Sequence, residues 1–102
     1  MTPETDARAR ALRWIVQGKQ IGKSLTLDRG GRSFYVRVAI EKRGDGYEVL
    51  VDEIDERRLE AEEYERDEKR RFDRLEEAVA FIEGTTPVTL GDLAPSRGQK
   101  WF

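Results

Sequence analysis

The chain contains no histidine and no cysteine. Without histidine it lacks the commonest general acid–base group and the commonest metal ligand. Without cysteine it has no disulfides, no thiolate zinc sites and no cysteine nucleophile, which fits a reducing compartment. Long apolar runs are missing as well, since no stretch approaches the roughly 18 residues a membrane helix needs. The start, Met1-Thr2-Pro3-Glu4, is polar and leads into arginines without the apolar core of a secretory leader. These absences predict a soluble, cytoplasmic protein that needs no cofactor or metal. Carboxylates, serine, lysine and tyrosine remain for catalysis, but nothing gathers them into a site, so the chain reads as a non-enzyme.

What is present is charge and pattern. The 102 residues suffice for one domain, and 39% of them are charged against 37% hydrophobic. A folded core under a very polar exterior fits both figures. The net charge of −2 hides a split. Residues 1–43 carry ten Lys/Arg and four Asp/Glu, residues 44–84 carry seven and sixteen. Such asymmetry marks either an interaction surface or a fold whose halves neutralise each other, and the second is the simpler expectation.

Residues 2–18 read as a helix. Thr2 suits the cap, Pro3 the first turn, and Glu4 and Asp6 the positive helix end. Ala7, Ala11 and Trp14 or Ile15, with Leu12 and Val16 beside them, give an apolar stripe, and Gly18 suits the stop. Residues 24–55 read as three antiparallel strands. Gly30-Gly31 supplies the positive φ angles of a two-residue turn, which sets Leu27 opposite Phe34 and Leu25 opposite Val36. A four-residue turn, Arg43-Gly44-Asp45-Gly46, sets Ile40 opposite Val49 and Val38 opposite Val51. Phe34, Val36, Val38, Ile40, Tyr47, Val49 and Val51 then share one face. The other face carries Thr26, Tyr35, Arg37, Ala39, Glu41, Glu48, Leu50, Asp52 and Ile54, more apolar than a solvated face needs.

Residues 56–71 are rich in Glu, Arg and Lys with favourable i,i+4 pairs, which predicts a solvated helix, with extended or mobile structure as the alternative. Residues 72–84 predict a second helix, with Asp73 as cap, Glu76 as its capping-box partner, and Phe72, Leu75, Val79 and Ile82 as its stripe. A turn-rich tail over 85–102 ends in Trp101-Phe102. The expected fold is a single α+β domain in αβββα order, with a charged segment before the last helix and the helices on one face of the sheet. This order is similar to that of double-stranded-RNA-binding domains, which grip phosphates with lysines at the start of the last helix. Here that position reads Asp73-Arg74-Leu75-Glu76-Glu77, which repels RNA.

Several short motifs invite function. Gln17 to Ser24 nearly matches the phosphate-cradling G-x-x-x-x-G-K-S, but the first glycine is Gln17, and a strand rather than a helix should follow. Arg43-Gly44-Asp45 and Arg29-Gly30-Gly31-Arg32 are explained by their turns. Asp52, Glu53, Asp55 and Glu56 cluster without calcium-loop spacing. The acidic run from Glu60 to Glu68 is interleaved with arginine, as in a solvated face.

Two functional classes survive. The first is a non-catalytic protein-binding module of adaptor, inhibitor, immunity or antitoxin type. Its contacts would be Tyr35, Ala39, Leu50 and Ile54 on the second sheet face, together with Trp101 and Phe102. That patch either closes a homodimer or is covered by the chain's own tail. The second class is a nucleic-acid binder using Arg8, Arg10, Arg13, Lys19, Lys23, Arg29 and Arg32, which the acidic middle opposes.

Overall fold

The computed structural model describes residues 3–58, 64–96 and 101–102. It is an α+β fold with a four-stranded antiparallel sheet and two helices: α1 (Pro3–Val16), β1 (Ile21–Arg29), β2 (Arg32–Arg43), β3 (Gly46–Asp55), β4 (Tyr64–Phe72) and α2 (Leu75–Thr85). The strands lie in chain order. Neither helix is long and apolar enough to cross a membrane.

The first two hairpins follow from local chemistry. Gly30 and Gly31 both take positive φ, 58° and 81°, and pair Leu27 with Phe34 and Leu25 with Val36. Gly44, at φ 58°, turns the chain between Arg43 and Gly46, pairing Ile40 with Val49 and Val38 with Val51. Side chains alternate across a strand, so both hairpins place these paired residues on one face. Both helices pack on that face. Ala11 and Ile15 of α1 meet Ala78, Val79 and Ile82 of α2 over Val36, Val38, Ile40, Val49 and Val51. α1 is thus on the core side, and among the described residues no helix lies on the other face of the sheet. α1 ends at Val16, and Gly18 beyond it, at a left-handed φ of 81°, donates its N–H to Ile15 O at 2.9 Å.

Three expectations need correction. The sheet has four strands, not three: Tyr64 to Phe72 of the charged segment is strand, not helix. Residues 59–63 of that segment lie outside the described residues, as does Thr2, the expected cap of α1. The helix-forming residues of β4 yield to pairing with β3, where Tyr47 faces Phe72, Val49 faces Arg70 and Val51 faces Glu68. The core-side positions of β4 are therefore largely charged. Their stems still make apolar contact, and the guanidinium carbons of Arg66 and Arg70 lie 5.7 and 4.9 Å from the centre of the Phe81 ring on α2.

The second correction concerns the start of α2. Phe72 ends the strand, Arg74 holds the cap position in an extended conformation, and no side chain caps it. Asp73 is therefore spent on the bend. A reciprocal capping box does exist further on, between Thr89 and Asp92, at the short 3₁₀ turn Leu90–Asp92. Third, the segment after α2 is no loose tail in its first half. Val88, Leu90 and Leu93 are core residues, and Ala94 exchanges two backbone hydrogen bonds with Gly22 on the edge of β1.

Ile82 is 1% exposed at the centre of this core. Ile82→Ala should cost about 2–5 kcal/mol, whereas Lys42→Ala, at an exposed site, should stay within about 0.5 kcal/mol. Denaturant unfolding of both variants checks the packing, and equal losses would contradict it.

Candidate interaction surfaces

The sheet face without helices is built in cross-strand rows. Thr26, Tyr35, Ile54 and Tyr64 form one; Ser24, Arg37, Asp52 and Asp67 the next; Gly22, Ala39, Leu50 and Lys69 the third. β4 explains why this face was half apolar. It converts β3 from an edge into an interior strand, and Leu50 and Ile54 are only 3% and 4% exposed. Ala39 is fully buried. Of the expected contact residues on the sheet, only Tyr35 offers surface.

The aromatic terminus folds onto the third row. The Trp101 ring lies so close to Gly22 that a Cβ there would come within 2.6 Å of it. Glycine at this site is therefore a steric requirement of the docked indole. The Trp101 N–H donates to Gln20 Oε1 at 3.2 Å, and Arg43 lies over the Phe102 ring at 5.6 Å. The indole Nε1 is buried without a partner among the described residues. The docked Trp101 thus covers part of the face within one chain, and the first row keeps two exposed side chains. There Tyr35 and Tyr64, 37% and 45% exposed, stand on either side of buried Ile54. Tyr64 was missed in the sequence because it belonged to the segment read as helical.

The basic third is drawn into the fold. Arg8 pairs with Glu83 at 2.6 Å, Arg29 with Glu53 at 2.9 Å and Arg32 with Asp55 at 2.5 Å. Arg37 pairs with Asp52, and Arg43 with Glu48 at 3.0 Å. Each of these links the positive part of the chain to the negative part. Of the remaining cations proposed for nucleic acid, Arg10 stacks over Trp14 at 5.9 Å. Arg13, Lys19 and Lys23 are exposed and lie on a helix, a linker and an edge strand. The seven cations are thus scattered over three elements and a linker, with three of them neutralised. The stretch Gln17 to Ser24 is turn and strand, so no helix end faces a phosphate there.

The carboxylates of β3 do not converge either. They alternate between faces, and the described residues contain no group of three placed to hold a metal ion. Asp55, 1% exposed, accepts from the Arg57 backbone N–H at 3.0 Å, from the Arg57 guanidinium, and from Nε and Nη2 of Arg32. Arg57 first, then Arg32, holds its carboxyl well below the ordinary range. Asp52 goes the other way. Burial raises its pKa, Arg37 opposes the rise, and Asp67 across the strand adds to it. Glu83 is lowered, first by the Leu90 N–H at 2.9 Å and then by Arg8. Comparison with protein-family models, with curated proteins and with solved structures finds no match.

These opposite shifts have opposite consequences for stability. A depressed folded pKa contributes stability above the unfolded value of about 3.9, and that stability fades as pH falls through the folded value. Asp55 is of this kind. A raised pKa makes the group's contribution fall as pH rises through the folded value, so charged Asp52 opposes folding at neutral pH. Asp55→Asn should therefore destabilise at neutral pH and flatten the loss of stability below about pH 4. Asp52→Asn should be milder at neutral pH. Melting curves from acid to neutral pH test both, and a reversed ranking at neutral pH would contradict the assignment.

Proposed function

We propose that the protein is a non-catalytic protein-binding module, an adaptor, inhibitor, immunity or antitoxin type of small domain, that docks its partner on the sheet face opposite the helices. The observation that carries this reading is the row Tyr35–Ile54–Tyr64, with two exposed tyrosines flanking a buried isoleucine. Tyrosine presents a large rigid ring and a hydroxyl at low entropic cost, which is why it recurs as an interface anchor. Here both rings stand on a four-stranded sheet, a backbone that hardly needs to rearrange on binding. The adjacent row supplies polar groups, with Arg37 and Asp52 already paired and Asp67 exposed at its edge. The buried carboxylates are held by arginines, which suits structural duty over acid–base chemistry. Ala39 and Leu50 then belong to the support of the face rather than to its contact surface, and the docked Trp101 and Phe102 border it.

The test is capture from a native lysate, with nuclease, at low and high salt. The wild type should retain a nuclease-resistant protein partner that the Tyr35→Ala/Tyr64→Ala double variant loses while keeping its fold by circular dichroism. Recovery of nucleic acid in place of protein would overturn the reading in favour of the cationic surface. A partner retained equally by the double variant would overturn the choice of face.

A further inference from the structure

α1 carries two apolar stripes. Ala11 and Ile15 go to the core. Thr5, Ala9, Leu12 and Val16 lie on the exposed side, at steps of four, three and four residues. That is the heptad spacing by which one helix lies along another. Val16, at 67%, has the greatest exposure of any large apolar side chain described. Leu12 stands where two depressions meet. One, of about 760 Å³, runs between α1 and α2 past Tyr47, Leu75 and Val79. The other, of about 280 Å³, is formed by Leu12, Arg13, Val16 and Gln17. The result is an apolar ridge, Leu12 and Val16, beside a groove with Tyr47, Leu75 and Val79 on its floor and charged residues such as Arg8, Arg74 and Glu76 around it, on the layer opposite the face used in the proposed function.

We infer that this helical face docks a second copy of the chain, with α1 lying antiparallel to the partner's α1 about a two-fold axis. The charges select the occupant. Asp6 and Arg13 sit one heptad apart on the same flank of the stripe, and neither joins an ion pair among the described residues. In an antiparallel pair, Asp6 of each copy faces Arg13 of the other, giving two ion pairs by symmetry. A parallel pair would bring Arg8 against Arg13 instead. The same packing lays the Leu12–Val16 ridge of one copy over the groove of the other and covers Leu75 and Val79. Both sheet faces then point outward, so the dimer leaves the tyrosine rows free and presents two of them.

Sedimentation equilibrium and light scattering on the full chain test the inference at about 50 µM, a concentration that must be fixed because dimer stability depends on it. The wild type should be dimeric. Val16→Asp should weaken association by at least about tenfold with an unchanged circular dichroism spectrum. Arg13→Asp should weaken it as well, and Asp6→Arg/Arg13→Asp should restore it. The Tyr35→Ala/Tyr64→Ala variant should dimerise like the wild type, which separates this inference from the sheet-face reading. A monomeric wild type, or a dimer indifferent to Val16→Asp, would overturn the inference. Failure of the double charge swap to rescue would overturn the antiparallel pairing.

Discussion

An interior strand has no edge through which its polar groups reach water, and β3 is such a strand. From Val49 to Asp55 every residue is buried, including Asp52, Glu53 and Asp55. A buried carboxylate without a partner costs more than a sheet hydrogen bond returns, so each one must be met by a cation from a neighbouring element. Arg37 meets Asp52 across the β2–β3 pair; Arg29 of β1 and Arg66 of β4 approach Glu53, at 2.9 and 4.0 Å; Arg32 and Arg57 enclose Asp55. Among these partners, Arg29, Arg32, Arg37 and Arg66 lie on the sheet. A slip of one residue would turn each carboxylate to the wrong face, so the ion pairs support the same register as the hydrophobic pattern.

This constraint accounts for the charge split along the chain. The surplus of cations before residue 44 and the surplus of anions after it are two sides of one set of contacts. Of the arginines that looked available for phosphates, Arg8, Arg29 and Arg32 are committed to carboxylates, and the apolar surface left over is aromatic on the sheet and aliphatic on α1. Those two surfaces lie on opposite layers, so the two contacts proposed above would not compete for one face.

The two hairpins were legible in the sequence because Gly30-Gly31 and the aliphatic alternation pointed to one register, as did the turn from Arg43 to Gly46. β4 was not. Its inward positions are Arg66, Glu68, Arg70 and Phe72, a pattern that by composition alone reads as a solvated helix. The Phe81 ring on α2, under Arg66 and Arg70, becomes their neighbour only once the next element has folded back on the sheet. The site was half legible for the same reason. Tyr35 was placed on the correct face by strand parity, but its companion Tyr64 was hidden in the misread segment. Leu12 and Val16 were grouped with the core stripe because they lie beside it on the helix. Which of the two adjoining stripes is covered depends on how α1 docks, and Ala11 and Ile15 share their core with Val88, Leu90 and Leu93 from beyond α2.

The central claim is that cations of the first part of the chain serve to neutralise the buried acids of β3. A double-mutant cycle on Arg37 and Asp52, measured by denaturant unfolding at neutral pH, tests it most directly. Arg37→Ala, Asp52→Ala and the double variant should reveal a favourable coupling of about 0.5–3 kcal/mol, with the double variant less damaged than the sum of the singles. Additivity within about 0.3 kcal/mol would show the two side chains to be independent and would contradict the account.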